Sequence, residues 1–366
     1  MPSTSDLRDH QREAGAVFAS AAPASIDVNG LPLHFGNPRE EYAAAATCAA
    51  LLDWSDHGLI ELKGKDRVTF LHGFCTNDIK RLAVGRDCEA FVTNVKGRIL
   101  GHIWVEAGEA ALRLDAGPGS PARLCAHLER YIINEDAVIT DVSPAWGELL
   151  VIGPSAAVVF SNDFGDVAGL GPWQHIEAEG EFGQTRISRR DVGGQSANVV
   201  GAPRAALGAI WDVLSRAGAR PAGSAVWSAL RIEAGLPIWG VDLTDENLAQ
   251  EAGRTPSAIS FTKGCYLGQE PIARIDAMGH VNRELRSLRI SGEAIPSPGA
   301  RIFSDAAGSA AVGTVSSAAF SFGSNSAVAM AMLRSNASAP GTQVFVETDG
   351  VLLPATVFWF PAERSA

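Results

Sequence analysis

Between positions 57 and 63 polar and apolar side chains alternate, with Leu59, Ile60 and Leu62 apolar, until Gly64-Lys65-Asp66 breaks the run. A period of two predicts a strand, and Asp66 ahead of Val68, Phe70 and Leu71 predicts a capped helix start. Strand patterns return over 89–95 and 99–105, on either side of the tight turn Lys96-Gly97-Arg98, and again over 110–115. Leu124, Leu128 and Tyr131 recur at helical spacing within 121–131, and 137–142 reads as a further strand. This order predicts an antiparallel sheet with helices on one face, an α+β layer.

A second cycle follows Trp146. Strands are predicted over 148–152, 183–188 and 196–200, with helical patterns over 155–160, 205–217 and 224–234. From about 284 the texture changes to short apolar alternations over 285–290, 311–315, 327–333, 343–347 and 355–360, separated by Gly, Ser and Pro. That pattern predicts a small β-barrel or sandwich. The expected organisation is an N-terminal extension over 1–46, α+β units over 47–145 and 146–283, and the barrel over 284–366.

Composition narrows the function classes. A chain of 366 residues, 46% hydrophobic, buries a sizeable core in two or three units. Its formal charge of -11 argues against nucleic-acid binding, which depends on Lys and Arg neutralising phosphates. Cys48, Cys75, Cys88, Cys125 and Cys265 are scattered, with no CxxC or Cys/His spacing of a metal site. They suit a reducing cytosol better than a disulfide framework. No apolar run reaches the roughly 18 residues of a membrane span, and residues 1–24 read as an amphipathic helix rather than a signal peptide. A cytoplasmic monomer that touches neither membrane nor nucleic acid is expected.

Candidate chemistry concentrates in Lys263-Gly264-Cys265-Tyr266-Leu267-Gly268-Gln269-Glu270. Two readings fit this octapeptide. It is a poised thiol, with Lys263 favouring thiolate at Cys265, or a glycine-bounded turn around a structural cysteine. Glu233 closes the 224–234 helix, at the end where the macrodipole prefers cations. It is either a surface carboxylate paired with Arg231 or a part-buried one that receives adjacent N–H groups of a planar heterocycle such as a pterin. Trp227, on the same helix, offers a stacking face or simply fills the core. Thr76-Asn77-Asp78 reads as a helix end and Asx-type turn. His280 is a weak candidate beyond the octapeptide.

Together these segments resemble the YgfZ-type folate-binding proteins, relatives of the glycine-cleavage T-protein. The octapeptide matches their KGCYxGQE signature, and the resemblance extends from about Leu51 to Phe360. It takes in Asp53-Trp54-Ser55-Asp56-His57-Gly58, Thr76-Asn77-Asp78, Asn94-Val95-Lys96-Gly97-Arg98, Arg130-Tyr131-Ile132 and Ile232-Glu233-Ala234-Gly235-Leu236-Pro237. It implies two ferredoxin-like α+β units and a C-terminal β-barrel around a central hole that binds tetrahydrofolate. It implies that Glu233 grips the pterin, with Trp227, His57, Asn77 and Asp78 in the folate site and Cys265 as the working thiol beside Lys263. The role implied is support of iron–sulfur cluster assembly or repair in client enzymes. One departure separates the chain from aminomethyltransferases: Gly101-His102 stands where they carry an acidic pair. A folate-dependent aminomethyl or demethylating transferase and a noncatalytic folate-responsive scaffold are the alternatives.

Overall fold

The first sheet has two unlike faces, and this decides the architecture. A computed structural model describes residues 6–19, 30–119, 121–160 and 164–358. In it, Asp87–Thr93, Ile99–Ala107, Leu112–Pro118, His57–Lys63 and Val138–Asp141 form a five-stranded antiparallel sheet in that order. Successive side chains of a strand point to opposite faces. Cys88, Ala90, Val92, Ile103, Val105, Leu112 and Leu114 therefore share one face, packed on Phe70, Leu71, Leu124 and Leu128 from the helices Arg67–His72 and Ala122–Glu129. The other face carries Asp87, Glu89, His102, Glu106 and Asp115, and these are buried too.

The second unit covers Asp87, Glu106 and Asp115. Its sheet runs Gln174–Gly180, Gly183–Arg189, Ala197–Pro203, Trp146–Ile152, Ala50–Asp53 and Arg220–Pro221. Arg186 of this sheet pairs with Glu106 and Glu148, and Arg190 with Glu106 and Asp115. His57 bonds Asp115 at 2.9 Å and His175 bonds Asp87. Such a network stabilises only when every charge is answered, because stripping ions of water costs several kcal/mol each. Two guanidiniums face Asp87, Glu106, Asp115 and Glu148, so the imidazoles of His57 and His175 supply the remaining positive charge when protonated.

Beyond the sheets, Leu207–Arg216 lays Ile210, Trp211 and Leu214 on Leu149 and Val151, while Ser224–Glu233 lays Val226 and Leu230 on the opposite face beside Leu150 and Ile152. The C-terminal region closes a barrel in the order Arg283–Ile290, Ser326–Arg334, Ala311–Ser321, Arg301–Phe303, Gln343–Thr348 and Val351–Phe358. The expected α+β layers and barrel are therefore present.

The unit boundaries differ from those expected in two places. Strand Ala50–Asp53, assigned to the first unit by the cut at 47, pairs with Trp146–Ile152 in the second sheet. The segment after 249, assigned to the second unit, packs on the first instead: Arg254 and Ser257 bond Glu89. Strands Gln174–Gly180 and Arg301–Phe303 and helix Gln269–Met278 were not expected, and 155–160 holds only the short 3-10 turn Val158–Phe160. The N-terminal helix is Leu7–Glu13; residues 1–5, 20–24 and 359–360 of the expected elements lie outside the described residues.

Candidate functional site

A cavity of about 280 Å³ lies between the two α+β units. One wall comes from the first unit, with Asp56, His57 and Gly101; the other comes from Ser224–Glu233 and the loop after it, with Trp227, Arg231 and Trp239. On that helix Ser224, Trp227, Ser228 and Arg231 make one stripe by their spacing. Trp54 stacks on His57 at 4.4 Å and meets Trp227 edge-on at 4.9 Å, which fixes the indole at the wall. Arg123 lies over the Trp239 ring at 4.5 Å, near Asp245 at 3.6 Å.

The charged groups of the lining differ in how they are answered. Arg231 donates to Asp242 at 2.8 Å, and neither side chain is exposed. Asp53 accepts from Gln11 and from the Ser55 N–H, both at 2.7 Å. Burial alone would depress His57, but Asp115, with Asp56 and Glu148 behind it, overcomes this and lifts the imidazole to about 9. Burial pushes the Asp56 carboxyl up to about 6. The charge of His57 opposes this, and no side-chain hydrogen bond reaches the carboxylate.

A second locus surrounds the octapeptide. The Lys263 ammonium is buried and donates to the carbonyls of His72 (2.6 Å), Cys75 (2.6 Å) and Asn77 (2.8 Å). It also sits 4.7 Å above the Tyr266 ring. Burial pulls its pKa down. Leu267 bonds Gly73 and Thr93 through its backbone, and Gly268 seats on the 94–97 turn. Gly268 adopts φ +85°, and a Cβ there would stand 2.4 Å from the Asn94 carbonyl, so only glycine fits. It caps Gln269–Met278, in which Gln269 and Glu270 form the first turn. Between these anchors Cys265 is left exposed.

Residues 7–262 match the GCVT N-terminal domain model, and 283–362 match the glycine cleavage T-protein C-terminal barrel domain. The chain belongs to the GCVT family. It is 27% identical over 361 residues to an aminomethyltransferase of Geobacillus kaustophilus, covering 96% of this chain and 98% of that one. It is 29% identical to an Arabidopsis thaliana protein described as a putative transferase, chloroplastic, over 76% of this chain and 64% of that protein's length. In fold it resembles the glycine cleavage system aminomethyltransferase T of Bartonella henselae, with a TM-score of 0.81, 22% identity and coverage of 98% and 97%.

Within this GCVT-family chain the expected site residues fall into three places. Trp227 and His57 line the cavity. Glu233 does not: it lies two residues past Arg231, about 200° around the helix at 3.6 residues per turn. There its oxygens accept from the hydroxyls of Tyr42, at 2.7 Å, and of Ser321. Asn77 and Asp78 belong to the octapeptide locus rather than the cavity. Asn77 donates to the carbonyls of Glu89 (2.8 Å) and Ser257 (2.9 Å), and Asp78 faces His72 at 3.4 Å.

The Lys263 ammonium is committed to three backbone carbonyls, and among titratable groups Cys75 acts on it most strongly. His102, at the position of the absent acidic pair, turns to Glu89 at 2.6 Å. Arg254, outweighing burial, holds Glu89 well below the usual carboxylate range. Sequence reasoning missed Asp56, Arg231 and Trp239 as cavity residues. Asp56 carries no spacing signal, because its exposure to the cavity depends on two elements that meet only in the fold.

Proposed function

We propose that this GCVT-family chain is a YgfZ-type tetrahydrofolate-binding protein that supports iron–sulfur cluster assembly or repair in client enzymes. It would act as a cytoplasmic monomer, with Cys265 as its working thiol. The carrying observation is the exposure of Cys265 within a loop immobilised on both sides, by the Lys263 clamp and the Gly268 seat. A structural cysteine in so anchored a loop would be expected inside, as Cys75 and Cys88 are.

The cavity suits a flat heterocycle with a polar edge: indole faces at Trp227 and Trp239, and at Asp56 a carboxylate that accepts no side-chain hydrogen bond. Tetrahydrofolate, when bound, would supply reduced ring nitrogens able to carry a one-carbon unit. The protein's own part there is to hold the ring, exclude water and present a carboxylate. No helix among the described residues is long and apolar enough to cross a membrane.

The test is a knockout strain assayed across several iron–sulfur enzymes and complemented with wild type or Cys265→Ser. Wild type restores the client activities and Cys265→Ser does not; equal rescue by both removes the thiol from the function. A second reading, a folate-dependent aminomethyl or demethylating transferase, is favoured by the name of the Geobacillus relative. It requires methylene- or methylfolate to form from an amine donor in vitro. A folate-responsive scaffold with an inert thiol would be recognised by slow alkylation of Cys265 in the folded protein.

A further inference from the structure

Two carboxylates, Asp53 and Asp56, face the cavity from the turn between the strands Ala50–Asp53 and His57–Lys63. Asp53 is satisfied by Gln11 and Ser55. The cations of the lining are also engaged: Arg231 by Asp242, His57 by Asp115, and Arg123 by Trp239 and Asp245. Among the described lining residues Asp56 is the charged group that accepts no side-chain hydrogen bond, with the neighbouring His57 acting on it only through its charge. A part-buried carboxylate that accepts no side-chain hydrogen bond keeps acceptor capacity that a ligand's N–H groups can fill.

Glu233 stands outside this cavity. Its oxygens accept from Tyr42 and Ser321 on two other elements. Gly101 lines the cavity on the same unit as Asp56, so the wall beside the carboxylate carries no side chain there.

We infer that Asp56 is the carboxylate that anchors the cavity's ligand, accepting from the adjacent N–H groups of a 2-amino-4-oxo pyrimidine-type ring edge that rests against Trp227. This rests on the folate reading for the whole ligand, but the ring-edge chemistry can be tested apart from it. A carboxylate accepting two such donors makes charge-assisted bonds, and neutralising it removes them while leaving the shape unchanged.

The experiment measures binding of 5-formyltetrahydrofolate and of free pterin by calorimetry and by quenching of tryptophan fluorescence. The proteins are wild type, Asp56→Asn, Asp56→Glu and Glu233→Gln, each first checked for cooperative thermal unfolding. Asp56→Asn is expected to weaken both probes at least tenfold. Asp56→Glu should recover part of that loss, and Glu233→Gln should stay within about twofold of wild type, as expected for a side chain outside the contact. A large loss in Glu233→Gln with Asp56→Asn unchanged overturns the assignment. Pterin binding that depends on Asp56 without folate binding keeps the assignment and removes the folate reading. Failure of wild type to bind either probe removes both.

Discussion

The Lys263 ammonium donates to the Cys75 carbonyl at 2.6 Å, joining residues 188 positions apart. It does the same for His72 and Asn77, so a single cation closes the end of the Arg67–His72 helix and the turn that follows it. The octapeptide is held to the first unit by this clamp. Lys263→Met would leave three carbonyls without their donor, and the expected loss is about 2–4 kcal/mol in urea unfolding. Lys263→Arg should not restore it, because a planar guanidinium cannot replace a compact ammonium among three converging acceptors.

Gly268→Ala is expected to cost roughly 2–4 kcal/mol, combining left-handed backbone strain with overpacking against the Asn94 carbonyl. A lowered thermal midpoint, with new proteolytic cleavage around 261–270, is the measurement. An unchanged midpoint would show that the turn over 94–97 gives way.

Stability should fall as the solution becomes alkaline. The His57 imidazole rises from 6.5 to about 9 in the folded protein, against burial, because of Asp115. A raised pKa gives stability that is complete below about 6.5 and lost as pH rises through 9, a span worth on the order of 3 kcal/mol. Burial and Asp115 lift Glu148 from 4.5 to about 7, so its contribution too is present below 4.5 and gone above 7. Unfolding free energies from pH 6 to pH 10 should decline, and His57→Gln should flatten the alkaline limb. A wild-type profile flat from 7 to 10 would contradict the ion pair.

Asp56→Asn should stabilise the ligand-free protein. Burial raises its carboxyl from 3.8 to about 6, so ionisation at neutral pH opposes folding. That stability is present below 3.8 and lost as pH rises through 6. Removing the charge is expected to return on the order of 1–3 kcal/mol at pH 7, with the gap closing as pH falls toward 4. Paired denaturant titrations at pH 4 and pH 7 measure it.

Iodoacetamide on the folded protein should label Cys48 and Cys265, the exposed thiols, and spare Cys75, Cys88 and Cys125 until denaturant is added. Burial raises the pKa of each of the three buried thiols, which slows them further. Peptide mapping of the labelled sites decides this.

The strands of the first unit were readable because their period is local. His57–Lys63 has the expected limits; of the two strands beside Lys96-Gly97-Arg98, the first lies two residues earlier at both ends and the second runs two residues further. Helix Gln269–Met278 escaped because it buries only Ile272 and so shows no apolar stripe. Pro271 in its first turn, after a glycine, is compatible with a helix start and was the available signal. Strand Ala50–Asp53 was lost in an Ala-rich run too short to show a period.

By itself, the sequence determined the alternating strands, the helices that cover them, the barrel and the octapeptide with its thiol, all of which rest on spacing between near neighbours. The tertiary structure decided which groups face one another. It buried the polar face of the first sheet against Arg186 and Arg190, where alternation alone suggests solvent. It turned Glu233 toward Tyr42 and Ser321, spent Lys263 on backbone carbonyls, and left Asp56 facing the cavity. The reason is the range of the interactions: periodicity is set within a few residues, whereas a charge is answered by groups as much as 286 positions away.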